Sequence, residues 1–146
     1  MASVTASAQP PARPALNRLF WVGPLAIVAA TLANVLLQQI AVAVLNPDPA
    51  FLPLTLLPPI IFTVVGVLGA VIVYALVGRF TRTPEPLFRR IALVTLVVSF
   101  IPDILMLITG FNPGTTAANV AVLLLMHVIA WAITVELLTR LTRTAV

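Results

Sequence analysis

Residues Ile91–Thr109 read IALVTLVVSFIPDILMLIT, a run of 19 residues in which Asp103 is the one charged side chain. An α-helix rises about 1.5 Å per residue, so the run is ~29 Å long and matches a hydrocarbon core about 30 Å thick. Upstream, Leu19–Asn46 and Pro49–Gly78 carry no charge, and downstream Ala117–Val135 has only His127 as an ionisable group. These runs predict four spans, at about 19–45, 54–78, 91–110 and 117–138. The expected fold is all-α: an integral membrane four-helix bundle over residues 19–139.

Composition agrees with this. The chain has 146 residues, 61% hydrophobic and 8% charged, against about a quarter charged in a soluble domain. That excludes a soluble globular protein, a disordered chain and a secreted scaffold. With no cysteine, disulfides, thiolate metal sites and cysteine nucleophiles are excluded. One histidine and four acids are a poor basis for a zinc site, which takes three or four ligands. No metal and no cofactor is expected. The net charge of +4 comes from arginines at the ends of apolar runs, which reads as membrane flanks and not as a nucleic-acid surface.

Punctuation separates the spans. Asn46-Pro47-Asp48-Pro49 and Phe111-Asn112-Pro113-Gly114 are turns, Arg79–Arg90 is a polar segment with Pro84 and Pro86, and Thr115 or Thr116 can cap the last helix. Pro58 and Pro59 suit a first helical turn, where proline's missing N–H costs nothing. Ala50–Leu57 then lies at the outer interface or dips in; a kinked helix from near Phe51 is the alternative. Residues 1–18, rich in Ala, Ser and Pro, are expected to be a disordered tail, and 140–146 a second tail. A cleaved signal peptide is disfavoured, because the first apolar run far exceeds the usual length of about 7–15 residues. No long internal repeat is visible.

Arginine placement sets the orientation. Arg13 and Arg18 precede span one, Arg79, Arg82, Arg89 and Arg90 lie between spans two and three, and Arg140 and Arg143 follow span four. The other two loops carry none. The positive-inside rule places both termini and the middle loop in the cytoplasm, in a cell-membrane protein. The middle-loop arginines can attract anionic lipid headgroups at about 1 kcal/mol each.

Each span carries a polar stripe. Thr31, Asn34 and Gln38 share a face of span one; Thr55, Pro59, Thr63, Gly66 and Ala70 of span two; Thr95, Ser99 and Asp103 of span three; His127 and Thr134 of span four, with Asn119 above. Lipid supplies no hydrogen bonds, so the stripes should turn inward. Asp103 lies ~18 Å from the inner boundary if the helix starts at Ile91, and His127 ~15 Å from the outer one. Both are then expected near the midplane, where they can share a proton or pair as ions. Pro102 adds a local break beside the acid.

Each feature has a structural reading too. Polar side chains serve as interhelical glue worth about 0.6–2 kcal/mol each, which suffices for Asn34, Gln38, Thr63 and Ser99. A midplane Asp costs ~2.5–3.5 kcal/mol to insert, so Asp103 invites a functional explanation more strongly. Gly66, Gly69 and Ala70 suggest close helix packing. Glu136 and Arg140 are spaced to pair, and Trp21, Tyr74 and Trp131 read as interface anchors. Ser99, Asp103 and His127 are the residue types of a hydrolase triad, but no Gly-x-Ser-x-Gly elbow surrounds Ser99. Phosphate-loop and dinucleotide fingerprints are absent too, so no nucleotide is implied, and enzyme activity ranks third behind the two classes given below.

Ser99-Phe100-Ile101-Pro102-Asp103 and Leu125-Met126-His127-Val128, with Gly69-Ala70 and Arg79-Phe80-Thr81-Arg82, resemble a family of small four-span bacterial membrane proteins catalogued as a domain of unknown function. The resemblance covers about residues 19–139. It implies a four-helix fold and brings no activity.

Two functional classes follow. The first is a small accessory or structural subunit that packs with itself, as a homo-oligomer, or within a larger membrane complex. The second is a small transporter or proton-linked ligand-binding protein, with Asp103 as ionisable acceptor and His127, Asn34 and Gln38 as its polar lining.

Overall fold

The computed structural model describes residues 14–143, so the expectations for residues 1–13 and 144–146 lie outside the described residues. Four helices follow in order: α1 (Leu19–Leu45), α2 (Leu57–Phe80), α3 (Pro84–Thr109) and α4 (Ala117–Leu141), with single 3-10 turns at Leu16–Arg18 and Leu52–Leu54. No strand occurs among the described residues. All four helices are long and apolar enough to cross a membrane.

Local chemistry sets the helix ends. α1 stops at Asn46 and α3 at Gly110, both left-handed with φ of 43° and 63°, a conformation that asparagine and glycine tolerate best. The Thr116 hydroxyl accepts the Asn119 N–H at 3.2 Å and caps α4. Pro58 and Pro59 fall in the first turn of α2, so neither interrupts its hydrogen bonds. Ahead of them, Phe51 and Leu54 are buried against Met106, Leu123 and Met126. The Gln38 amide donates to the Leu54 carbonyl at 2.8 Å. The 50–57 stretch is thus a folded-in plug and not the start of a kinked helix.

Two expected boundaries move. α3 begins at Pro84, seven residues before the apolar run, and carries Glu85, Arg89 and Arg90 in its first two turns. Hydropathy marks the part of a helix that lipid surrounds; the helix itself continues wherever its backbone stays paired. The disordered tail expected through residue 18 gives way to a docked segment from Pro14. Ala15 donates its N–H to the Thr142 carbonyl at 2.8 Å, and the Arg18 guanidinium donates to the carbonyls of Leu141 and Arg143. These acceptors lie at or just past the end of α4, where carbonyls lack a helical donor.

In the bundle, α1 packs on α2 and α4, and α3 packs on α4, whereas α2 and α3 touch sparingly. Packing is tight at both ends. At the arginine-bearing end, Val22, Tyr74, Val77, Phe88, Val135 and Leu138 form one cluster. The Phe51–Met126 cluster closes the other. Between them small residues, Ala26 and Ala30 with Val67, bring α1 and α2 together. Tyr74 is not an interface anchor. It is fully buried, meets Phe88 edge-on at 4.8 Å, and shares a 2.7 Å hydrogen bond with Thr142.

Gly66 and Gly69 do not provide the close packing expected of them within the chain, because a Cβ at either would meet nothing within 4 Å. Close approach occurs instead at Gly23, where a Cβ would lie 3.3 Å from the Val71 side chain, and at Gly78 against Leu16. Ala70 does pack against the arginine-end cluster. Large side chains such as Leu32, Leu36, Leu68, Val94 and Ile108 are exposed on the outside, as lipid-facing residues are.

Candidate functional site

The sparse contact between α2 and α3 leaves a cavity of about 770 Å³ between the two packed ends. α2, α3 and α4 supply nearly all of its lining, and Asn34 is the contribution of α1. Most of the wall is apolar, including Phe62, Phe88, Leu96, Met106 and Met126.

The polar residues come from the inward stripes. Asp103 is 6% exposed and Asn34 3%. The Asn34 amide nitrogen donates to the Thr63 hydroxyl at 2.9 Å, which leaves Asn34 Oδ1 with no partner. The Nδ1 of His127 lies 2.8 Å from the Leu123 carbonyl and 3.3 Å from Asp103 Oδ2. A carbonyl only accepts, so Nδ1 carries the hydrogen and gives it to Leu123. Asp103 Oδ2 is buried yet makes no hydrogen bond. In the neutral ring Nε2 is then an acceptor.

Five buried side-chain polar atoms lack a hydrogen-bond partner among the described residues: Thr31 Oγ1, Asn34 Oδ1, Asp103 Oδ2, Trp131 Nε1 and Thr134 Oγ1. All but Thr31 belong to residues lining the cavity. An unmade hydrogen bond at a buried group costs about 1–3 kcal/mol. Four such groups around one void therefore favour occupancy of that void by something that can bond to them.

The structure divides the sequence candidates. Asp103, His127, Asn34, Thr63, Ser99 and Pro102 all line the cavity, and so do Gly66 and Ala70. Ser99 spends its hydroxyl on the Leu96 carbonyl at 2.7 Å and makes no bond to His127, so the triad arrangement is not formed. Pro102 lies within α3, which continues through it to Thr109. Gln38 is elsewhere: it holds the 52–54 turn and accepts from Gln39. Asp103 lies six residues before the end of α3, or ~9 Å along the helix axis.

Trp131, expected at the interface, lines the cavity with its indole nitrogen buried. The signal was available, since His127, Trp131 and Thr134 are spaced i, i+4, i+7 and share a face. The basic flank is separate from the cavity. Arg79, Arg82 and Arg90 are exposed, and Arg89 donates to the Thr139 hydroxyl at 2.7 Å. Glu136 and Arg140 form the expected ion pair, and Glu85 binds Arg143 through both carboxylate oxygens. No group of three or more histidine or acidic residues that could hold a metal occurs among the described residues.

Comparison with curated proteins gives no match, and comparison with solved structures gives none. A family model matches residues 14–144, which takes in every described residue and all of the cavity-forming helices, and the protein belongs to that family, the family of unknown function DUF6069.

Proposed function

We propose that this membrane protein binds a small amphipathic ligand inside the bilayer, in the cavity walled by α2, α3 and α4, with Asp103 and His127 as its ionisable element. The observation that carries this reading is the coincidence of void and unmet hydrogen bonds. Asn34, Asp103, Trp131 and Thr134 each present a buried, unpartnered atom, and all four line the same cavity. Packing glue pairs its polar groups across helices; the Asn34–Thr63 contact does so, but these four atoms do not. The volume falls within the usual range for small-molecule sites, about 300–1,000 Å³. The arginine-bearing end faces the cytoplasm of the cell membrane in this reading, by the positive-inside rule.

The test is native mass spectrometry of the protein extracted gently from its membrane. Gly66→Leu puts a side chain into the cavity from a position with open space around it. Wild type should retain a bound small molecule that the variant has lost. Equal adducts on both proteins overturn the reading.

A second reading is an accessory subunit that packs with itself or another membrane protein. It is favoured by Gly66 and Gly69, which leave open space on an exposed part of α2. Small residues of this kind let helices of neighbouring chains approach closely. A stoichiometric oligomer or complex in the same spectra, lost on Gly69→Leu, supports this reading; a monomer in both overturns it.

A further inference from the structure

We propose that the cavity ligand is a hydrophobic amine, bound as its ammonium cation with Asp103 as the counter-ion. This rests on the ligand-binding reading above and names the chemical class that the site takes.

The inventory of free groups points to a donor-rich guest. Asn34 has used its N–H₂ on Thr63, so the atom it leaves unpartnered is an acceptor. Asp103 Oδ2 is a second unpartnered acceptor. His127 has used its Nδ1–H on the Leu123 carbonyl, so its other nitrogen is a third acceptor when the ring is neutral. Against these stands one unpartnered donor with no acceptor capacity, the indole N–H of Trp131; Thr134 can act either way. An ammonium group supplies several N–H donors at one point.

Charge narrows the class further. Among the described residues no arginine lines the cavity, and Asp103 and His127 are the only titratable ones that do. An anionic guest would meet a carboxylate with no fixed cation beside it. A neutral guest would leave any ionised Asp103 uncompensated, and a lone charge in a low-dielectric interior is costly. A single positive charge neutralises the site one for one. The rest of the wall suits an apolar body: Phe62 and Phe88 offer aromatic faces, and Met106 and Met126 adapt to irregular shapes. Trp131 adds an indole ring, the strongest aromatic partner for a cation.

Proton and amine compete at this site. When Asp103 takes a proton it no longer neutralises the cation, so binding weakens as pH falls; His127 is the other ionisable side chain facing the site among the described residues.

Three probes of equal chain length separate the head-group classes: octylammonium, 1-octanol and octanoate. The protein is reconstituted in lipid nanodiscs as Trp21→Phe, so that Trp131 is the remaining indole. Its fluorescence is titrated with each probe, compared at equal concentration in the membrane. Octylammonium should shift the emission saturably and bind at least about tenfold more tightly than octanol, with octanoate weakest. The preference should disappear in Asp103→Asn, which keeps the volume and removes the charge, and octylammonium should bind more weakly at lower pH.

Octanoate or octanol binding as tightly as octylammonium, in a manner blocked by Gly66→Leu, overturns the amine assignment and leaves the cavity as a ligand site. No response to any probe that Gly66→Leu abolishes overturns both. The head-group comparison on the protein with Asp103 intact decides the charge class even if Asp103→Asn does not fold.

Discussion

Asp103 and His127 approach to 3.3 Å without sharing a hydrogen bond. The imidazole N–H is committed to the Leu123 carbonyl at 2.8 Å, so the buried carboxylate has a neighbour but no donor. An optimised ion pair would use that hydrogen on the carboxylate. Here the histidine is held in place by its own helix, and the acid is left facing the void.

The first consequence concerns stability. A buried carboxylate without a donor opposes folding. Asp103→Asn should therefore keep the helical content and raise stability by about 1 kcal/mol. Circular dichroism and thermal melting in detergent check this; a large loss of stability shows that Asp103 holds the helices together.

Asn34 and Thr63 behave in the opposite way, since the Asn34 amide N–H donates to the Thr63 hydroxyl between α1 and α2 at 2.9 Å. Thr63→Val keeps the shape and strands the Asn34 amide. It should cost about 1 kcal/mol, within the range for interhelical hydrogen bonds in membranes. The melting midpoint should fall measurably below that of wild type.

Gln38 holds the plug by donating to Leu54. Gln38→Leu should speed amide hydrogen exchange in residues 50–56 while leaving the centres of α1 and α4 protected. Uniform exchange changes along the chain would mean that Gln38 supports the whole bundle.

Glycines at two places should respond with opposite signs. Gly66→Ala meets open space and gains about 0.5–1 kcal/mol of helix propensity. At Gly78 a Cβ would lie 2.8 Å from Leu16 Cδ2, so Gly78→Ala should push the 14–18 segment away from α2. Protease sensitivity near residue 18 reads this directly, and should rise for Gly78→Ala but not for Gly66→Ala.

Arg143, past the end of α4, is gripped by Glu85 in the first turn of α3 at 2.9 and 2.8 Å. This contact holds the Arg143 guanidinium above its ordinary basic range. A raised cation pKa means that its contribution is complete at neutral pH and is lost only as strongly alkaline pH passes the folded value. Glu85→Gln should loosen residues 139–143 in hydrogen exchange at pH 7, and added salt should loosen the wild type in the same region.

Four spans, their order and the inward set of polar side chains could all be read from uncharged runs of bilayer length and from spacing at three, four and seven residues. Asp103, His127, Asn34 and Thr63 stood out because lipid cannot hydrogen-bond them. The early start of α3 was hidden, since Glu85, Arg89 and Arg90 interrupt hydropathy without interrupting backbone pairing. Gln38 and Tyr74 were misplaced for another reason: periodicity gives the face a residue occupies and not the partner it meets.

Uncharged runs of bilayer length and the cost of a carboxylate in lipid sufficed to predict four spanning helices and a buried Asp103. The separation of α2 from α3, and the unpaired polar groups between them, could be seen in the packed molecule alone. That outcome depends on how each helix is rotated and whom it touches. Close approach at Ala26, Ala30 and Gly23 draws α2 towards α1, and the cavity remains on the side where no such contact forms.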